Sequence, residues 1–276
     1  MSKEPENKSN PQNSIPRFSV LGVQLSGLKI EDAVRRIVDA TSSEQKHYVC
    51  VFAVDSLLKS IDHPNLLEIA NNSYMTLCDG MPLVWIGKKI AKLDMNRCYG
   101  PDVMIKTIEM GCKANIKHFF YGCDCEDTYR KLEANLKTKF PDIKIAGHYI
   151  PPFRDLTAQE VDYVAQQIND SGADCVWVGI GTPRQDFWIQ QFRPLISTPV
   201  LLSVGAAFIF HAGTVPQAPR WMMRCGLEWL FRLMAEPHRL WRRYIIGNPR
   251  FIWLIIKQYI TKKPAPLGKV LKNTES

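Results

Sequence analysis

Residues 175–185 read Cys-Val-Trp-Val-Gly-Ile-Gly-Thr-Pro-Arg-Gln, an apolar run that passes through a glycine turn into a helical pattern. Four consecutive apolar residues before the first glycine indicate a strand that is buried on both faces. Pro183 suits the first turn of the following helix, because that turn needs no amide donor from it. A buried strand, a short turn and a helix form the repeating unit of α/β proteins, so this stretch predicts a parallel sheet.

The same alternation extends along the chain on both sides of this stretch. Apolar runs that predict strands cover Tyr48–Val54, Tyr74–Cys78, Lys117–Tyr121, Ile143–Tyr149, Cys175–Ile180 and Val200–Val204. Helical patterns cover Ile30–Ala40, Val54–Ile61, Pro101–Cys112, Glu126–Phe140, Thr157–Asn169 and Gln185–Phe192. We therefore predict an α/β fold, a mostly parallel Rossmann-like sheet with helices on both faces and a basic helical appendage after it.

Glycine ends three of the predicted strands, at Gly122, Gly179 and Gly205. In open α/β sheets the ligand lies beyond the carboxyl ends of the strands, where a side chain would obstruct its approach to the backbone. The turns at Gly122, at Gly179 and Gly181, and at Gly205 are thus candidates to line a pocket. A glycine at each of these turns can equally serve the tight turn alone.

The turn after Gly179 is also a candidate anion site. Free amides at the start of a helix attract an anion, and Arg184 and Gln185 would add side-chain donors. The pattern favours a phosphate or a nucleotide. It departs from the dinucleotide fingerprint of nicotinamide-dependent oxidoreductases, because Arg184 stands where that motif has its third glycine.

A single carboxylate, Asp79, follows the predicted strand Tyr74–Cys78 and precedes a glycine turn and a proline-led helix. This position would hold a general base rigidly at the edge of a crevice. An aspartate there can instead cap the next helix, a common role for this residue. Arg97 and Asp102 similarly place a cation and a carboxylate around Gly100, although Asp102 can also simply begin a helix.

Motifs for metal or redox chemistry are absent from the sequence. The six histidines are scattered, and the chain has neither a paired C-x-x-C nor a D-x-D motif, so we expect no metal site and no cofactor. The eight cysteines show no disulfide spacing, which indicates a reducing compartment, the cytoplasm. The polar, proline-rich N-terminus has no apolar signal core, and we expect residues 1–15 to be disordered.

The excess positive charge is confined to the C-terminal part of the chain. Through Pro219 there are 23 Lys and Arg against 24 Asp and Glu, whereas from Arg220 onward there are 12 against 3. Large apolar residues, several of them tryptophan, are interleaved with these cations, which suggests contact with an anionic surface or substrate. Phe251–Ile256 is far too short to span a membrane, so membrane contact would be peripheral.

Two patterns within the basic segment point in different directions. One set recurs every four residues and predicts a single alternating-sign stripe on a helix, usually a solvated face: Arg224, Glu228, Arg232 and Glu236. A second set, Arg239, Arg242 and Arg243, has no nearby acids and would suit a diphosphate or an anionic lipid. We divide the chain into an α/β catalytic domain (16–217, the body), the basic helical appendage (218–262, the appendage) and a flexible tail (263–276).

Several of these motifs, taken together and in this order, resemble the WecG/TagA/CpsF family of bacterial glycosyltransferases. In the body they are Asp79-Gly-Met-Pro-Leu-Val-Trp85, Arg97-x-x-Gly100-x-Asp102, Gly179-Ile-Gly-Thr-Pro-Arg-Gln185 and Gly205-Ala-Ala-Phe208. In the appendage they are Ala218-Pro-Arg-Trp221, Gly226-Leu-Glu-Trp-Leu-Phe-Arg-Leu233, Glu236-Pro237 and Arg239-Leu-Trp-Arg-Arg-Tyr244. The resemblance extends from about Phe18 to Tyr244.

The resemblance implies an inverting, metal-independent transfer of a hexose-type sugar from a UDP-sugar to a polyprenyl-diphosphate-linked saccharide, on the cytoplasmic face of the membrane. It implies that Asp79 is the base. Implied or candidate substrate-binding residues are Arg97, Gly100, Asp102, Gly179, Gly181, Pro183, Arg184, Gln185 and Gly205. Candidate diphosphate or membrane contacts are Arg232, Arg239, Arg242 and Arg243. A homo-oligomer is compatible with the sequence.

Three positions depart from the family pattern, namely Val51, Ala53 and Ile209, where polar residues are common. The resemblance implies that those polar groups contact substrate, so UDP-glucose competes with the N-acetylmannosamine donor common in the family. The alternative function is a non-enzymatic binder of nucleic acid or another anionic surface. We expect no nucleic-acid partner, because the chain has no helix-turn-helix or RNA-binding motif.

Overall fold

Short apolar runs, most of them buried along their length, form one sheet in the computed structural model, which describes residues 14–261. Its eight strands are Arg17–Val20 (β1), Val23–Ser26 (β2), His47–Phe52 (β3), Met75–Cys78 (β4), Lys117–Gly122 (β5), Lys144–Tyr149 (β6), Cys175–Gly179 (β7) and Val200–Ser203 (β8). The strand order is β1-β2-β4-β3-β8-β7-β5-β6. Every neighbouring pair is parallel except β1 and β2, so the prediction of a mostly parallel α/β sheet is confirmed.

The helices of the body connect these strands. They are Ile30–Ala40 (α1), Val54–Asp62 (α2), Pro64–Asn72 (α3), Met81–Lys89 (α4), Gly100–Lys113 (α5), Glu126–Lys139 (α6), Ala158–Asp170 (α7), Arg184–Phe192 (α8) and Ala207–His211 (α9). Those of the appendage are Arg220–Arg224 (α10), Glu228–Ala235 (α11), Pro237–Trp241 (α12), a π-helical segment Arg242–Ile246, and Gly247–Thr261 (α13).

The two-residue period of the strands separates the core into layers. On β7, Cys175 and Trp177 pack with apolar residues of α1, α5 and α6, whereas Val176 and Val178 pack with those of α7 and α8. A strand with apolar side chains on both faces must be covered on both, which is why its sequence reads as one continuous apolar run. The predicted helices on both faces of the sheet are therefore confirmed.

The sequence patterns missed the hairpin of β1 and β2. Its strands have four residues each and are joined at Leu21 and Gly22, both with positive φ (52° and 92°). Tight hairpins of this kind are usually marked by Asn-Gly or Asp-Gly, so a Leu-Gly turn carries little local signal. Strand β2 is held in the sheet by pairing with β4, which is distant from it in sequence.

The appendage is helical, as predicted, but the single charged stripe is wrong. Arg224 ends α10, Glu228 begins α11, and Glu236 lies between α11 and α12, so these residues lie on separate elements. Helix α13 packs back on the body, where Phe251 joins the apolar cluster that contains Leu57 and Leu58 of α2. None of the helices within residues 14–261 is long and apolar enough to cross a membrane.

The expectations for residues 1–13 and for the tail 263–276 concern residues outside the described part of the chain. The division into a body and an appendage remains a prediction.

All eight cysteines are free, and four of them are buried, at Cys50, Cys78, Cys98 and Cys175.

Candidate active site

A cavity of about 720 Å³ opens at the carboxyl ends of β4, β3, β8 and β7, between the body and the appendage. It lies where strand order brings distant segments side by side, as expected for ligand sites of open α/β sheets. Nine of the residues singled out from the sequence line it: Asp79, Gly179, Gly181, Gln185, Gly205, Arg232, Arg239, Arg242 and Arg243.

Asp79 is held at the cavity by an arginine. Arg97 Nη2 lies 2.8 Å from Asp79 Oδ1, and Arg97 Nε also donates to the Asp79 backbone carbonyl. The same Nη2 lies 2.6 Å from Oε2 of Glu228, the first residue of α11. The Arg97 guanidinium is further placed over the Tyr99 ring, 4.3 Å from its centroid. Arg97 itself is outside the cavity lining, but it joins two carboxylates that belong to it.

The alternative that Asp79 caps the next helix is wrong. Gly80 occupies the cap position of α4, and no side chain there accepts a hydrogen bond from the helix. Burial raises the pKa of Asp79 above its ordinary value, Arg97 lowers it, and Glu228 raises it further, with a net increase. A carboxylate made more basic in this way, and facing a cavity, has the properties of a general base.

Glycine is required at Gly179 and at Gly181 for different physical reasons. A Cβ on Gly179 would lie 2.6 Å from the Phe208 ring, so the absence of a side chain there is required by packing. Gly181 has a φ of +79°, and a Cβ there would meet no atom within 4 Å. Gly181 is therefore required by its backbone conformation, and it leaves open space beside the cavity.

Gln185 braces the two glycine turns rather than standing free. Its Oε1 accepts from the Gly205 amide (2.9 Å) and its Nε2 donates to Thr182 Oγ1 (3.2 Å). The expected row of free helix amides is mostly wrong, because those of Gln185, Asp186 and Phe187 already donate to carbonyls of Gly181 and Pro183.

Besides Arg97, four predicted substrate-binding residues lie outside the cavity lining, as does the predicted pocket turn at Gly122. Helix α8 begins at Arg184, with Pro183 preceding it, and the Arg184 guanidinium lies over the exposed Phe153 ring, 5.3 Å from its centroid. Gly100 approaches the Val204 carbonyl, where a Cβ would lie 3.1 Å from the oxygen. Asp102 lies in the first turn of α5 and binds Arg220 of α10 through both carboxylate oxygens (2.8 and 3.0 Å).

The arginines of the appendage differ in how far they are already paired. The prediction that Arg239 and Arg243 lack acids is wrong: Arg239 pairs with Glu236, and Arg243 Nε lies 3.5 Å from Asp55 Oδ2. Arg232 and Arg242 form no ion pair within residues 14–261, and each instead lies near an aromatic ring. The Arg232 Nε–H is buried without a hydrogen-bond partner in the same range, so it is available to an anion.

Sequence patterns missed several residues of this site. Glu228 and two residues of α2 line the cavity, Asp55 in the first turn of that helix and Lys59 in its last. Lys59 Nζ donates to the Thr182 carbonyl (2.9 Å). Helix α2 follows β3 directly, so its first turn reaches the same sheet edge. The sequence signal that could have identified these α2 residues is the direct succession of β3 and α2. For Glu228, nothing local distinguished it from a solvated helix residue.

The three positions that depart from the family pattern, Val51, Ala53 and Ile209, all line the cavity. Apolar side chains therefore stand where the family often presents polar ones.

Within the described residues, no group of three or more His, Cys, Asp or Glu is arranged to hold a metal ion. The expected metal independence stays a prediction.

Known proteins similar to this chain point to one family. The family model described as "Glycosyl transferase WecG/TagA/CpsF family" matches residues 18–265. An N-acetylglucosaminyldiphosphoundecaprenol N-acetyl-beta-D-mannosaminyltransferase of Bacillus subtilis (strain 168) is 29% identical over 227 residues, 79% of this chain and 86% of the relative. The enzyme with the same name from Bacillus spizizenii is 29% identical over 213 residues, 77% of this chain and 80% of the relative. Since the family match extends over nearly all of the body and the whole of the appendage, the chain belongs to the WecG/TagA/CpsF family and is a glycosyltransferase.

Proposed function

We propose that this enzyme transfers a hexose-type sugar from a UDP-sugar to a polyprenyl-diphosphate-linked saccharide, with inversion and without a metal ion. The observation that carries the proposal is the shared cavity, which Asp79 lines from the body and Arg232 and Arg242 line from the appendage. A base and unpaired cations around one space meet the two needs of glycosyl transfer from a nucleotide diphosphate.

Asp79 acts in this proposal as the general base. The acceptor hydroxyl attacks the anomeric carbon of the donor sugar, forming a C–O bond as its proton passes to the Asp79 carboxylate. The bond between the anomeric carbon and the UDP oxygen breaks, and UDP leaves with the electron pair. A single displacement of this kind inverts the configuration at the anomeric carbon.

The leaving diphosphate needs positive charge, which the appendage supplies. Arg232 and Arg242 have no ion-pair partner among residues 14–261, and the buried Arg232 Nε–H has no acceptor there. Arginine donors match phosphate oxygens in geometry as well as charge. Cations that line a cavity, instead of tracking along an exposed surface, argue against the nucleic-acid-binding alternative.

Two donor sugars compete in this proposal, N-acetylmannosamine and glucose. The Bacillus relatives are named as N-acetyl-beta-D-mannosaminyltransferases that act on N-acetylglucosaminyldiphosphoundecaprenol, which supports the same lipid-linked acceptor class and an N-acetylmannosamine donor. Val51, Ala53 and Ile209 give the cavity fewer polar partners for a sugar, which supports UDP-glucose as the competitor.

A lipid-linked acceptor requires the cavity to work beside a membrane. Large apolar side chains of the appendage are exposed, namely Trp221, Leu230, Met234, Trp241, Ile245, Ile246, Ile252, Trp253, Ile256 and Ile260. They lie among arginines, a combination that suits an anionic lipid surface. We therefore propose peripheral attachment to the cytoplasmic face of the membrane through the appendage.

The purified chain tests the proposal with a short-chain polyprenyl-diphosphate N-acetylglucosamine as acceptor. UDP-N-acetylmannosamine, UDP-glucose and UDP-N-acetylglucosamine are offered separately, with chelator present, and both UDP release and the disaccharide product are measured. We expect one of the first two donors to react. Transfer from none of them, or transfer that a chelator abolishes, would contradict the proposal.

A further inference from the structure

Glu228 contacts the catalytic centre from the appendage. It begins α11, and its Oε2 lies 2.6 Å from the same Arg97 nitrogen that lies 2.8 Å from Asp79 Oδ1. One guanidinium nitrogen thus bridges two carboxylates that come from different parts of the chain. The side chains of Asp79, Arg97 and Glu228 are exposed by only 23%, 16% and 14%, so water screens their interactions weakly.

Charge balance shows what the second carboxylate does. Two carboxylates and one guanidinium carry a net negative charge, so Arg97 cannot neutralise both. Paired with Asp79 alone, the guanidinium would favour the ionised carboxylate and make it a weaker base. With Glu228 drawing on the same nitrogen, Asp79 retains more of its affinity for a proton.

Other charged or titratable groups that face Asp79 do not replace this effect. Arg232 of α11 favours the ionised form, and Cys78, Cys98 and Tyr99 are held neutral because burial raises the pKa of each. Among the groups that act on Asp79 in the described residues, Glu228 is the negative charge that opposes Arg97 and Arg232.

We propose that Glu228 is a positioning residue: it shares Arg97 with Asp79, keeps Asp79 basic, and makes the base depend on a docked appendage. The kinetic part of this inference rests on the proposed function. Its electrostatic part does not, because it concerns the proton affinity of Asp79 in the enzyme without substrate.

The main experiment follows the Asp79 carboxyl carbon by NMR in ¹³C-labelled protein, with the resonance assigned through Asp79→Asn. Glu228→Gln preserves the size of the side chain and removes its charge. We expect the titration of Asp79 to move to lower pH in Glu228→Gln, and Glu228→Asp to restore part of the difference. An unchanged Asp79 titration in a folded Glu228→Gln variant would overturn the proposal.

Kinetics supply the second measurement. We expect Glu228→Gln to lower kcat by about tenfold or more, to move the acid limb of the kcat profile to lower pH, and to leave KM for the donor nearly unchanged. Arg220→Gln is the matched control, because it also removes an ion pair between appendage and body, at Asp102. Equal effects from both variants would mean that Glu228 only fastens the appendage.

The two proposals fail in different ways. If the unmodified enzyme transfers no sugar from any UDP donor, the proposed function is wrong, and the NMR titration still decides the role of Glu228. If the enzyme is active but Glu228→Gln keeps both the wild-type rate and the wild-type titration, only the role of Glu228 is wrong.

Discussion

At the residue scale, the environment of Asp79 decides its chemistry. The carboxylate directly follows β4 and is held by Arg97 while lining the cavity. Its sequence position alone favoured a helix cap, a role that Gly80 takes instead. What distinguishes the proposed base from a helix cap is the contact with Arg97, which forms only in the folded chain.

We expect Asp79→Asn to reduce sugar transfer by about a hundredfold or more, since an amide cannot accept the acceptor proton. Product formation with the short-chain acceptor measures this. Asp94→Asn, an exposed acid paired with Lys29, is the control and should keep wild-type activity. Comparable turnover by Asp79→Asn and Asp94→Asn would remove Asp79 from the role of base.

Asp186, in the first turn of α8, predicts a pH dependence of stability. It is fully buried, and burial raises its pKa from 3.8 to about 7. Between about pH 4 and pH 7, the folded state therefore keeps a proton on Asp186 that the unfolded chain has already released. Stability contributed by the neutral carboxyl is complete below this window and is lost as the pH rises through it.

We expect Asp186→Asn to gain thermal stability relative to the wild type as the pH rises from 5 to 8, because an amide has no charge to bury. The relative change in Tm should reach several degrees, since each 1 kcal/mol corresponds to about 2–4 °C in a protein of this size. Asp162→Asn, an exposed acid on α7, controls for other titrations. A pH-independent difference in Tm between Asp186→Asn and the wild type would show that Asp186 is ionised in the fold.

At the element scale, the glycine turns and the appendage helices define the site. The turn after β7 is shaped by Gly179 packing on Phe208 and by the positive φ of Gly181, while Gln185 ties it to the turn after β8. In the appendage, the chain breaks between α10 and α11, and this break places Glu228 against Arg97. A continuous helix would have carried Arg224 and Glu228 on one face.

We expect Arg232→Gln to lower kcat/KM for the UDP-sugar by about a hundredfold, the usual effect of removing one donor to a developing negative charge. Arg224→Gln is the matched control, because Arg224 is exposed on α10 and lies outside the cavity lining. Steady-state kinetics with the short-chain acceptor compare the two variants. Equal losses would mean that the positive charge of the appendage acts generally rather than at the diphosphate.

Most elements were predictable because their signals are local. The strands of the central sheet and the helices of its two faces follow from apolar periodicity and from glycine and proline at their ends. The hairpin of β1 and β2 escaped, because a Leu-Gly turn and four-residue strands carry little local preference. The breaks between α10, α11 and α12 escaped for the opposite reason, since four-residue charge spacing there suggested one long helix.

At the scale of the whole molecule, helix α13 connects the cavity with an exposed apolar face. Trp253, Ile256 and Ile260 are exposed by 59%, 52% and 78%, while Phe251 of the same helix is buried against the body. Helix α13 therefore contributes both an exposed apolar face and part of the cavity lining, through Gly247 and Arg250. If the appendage binds the membrane as proposed, this geometry brings membrane contact and substrate access together.

We expect the double variant Trp253→Ser and Ile256→Ser to bind anionic phosphatidylglycerol vesicles at least about tenfold more weakly, since burial of each side chain is worth about 1.5–3 kcal/mol. Transfer to the short-chain acceptor, measured without vesicles, should be unchanged. Phe153→Ser removes a still more exposed aromatic residue, which belongs to the body, and should leave vesicle binding intact. Co-sedimentation measures both, and indistinguishable binding by the two variants would exclude α13 as the anchor.

The sequence by itself determined the α/β architecture, the glycine turns at the strand ends, the separation of charge between body and appendage, and the family. These properties depend on short-range periodicity and on motifs that are contiguous in the chain. Only the tertiary structure decided that Asp79 meets Arg97 and Glu228, that Asp102 binds Arg220, and that Arg232 is left without an ion-pair partner within residues 14–261. Charges separated by many residues have no local signal, because their interaction depends on the distance and burial that folding creates.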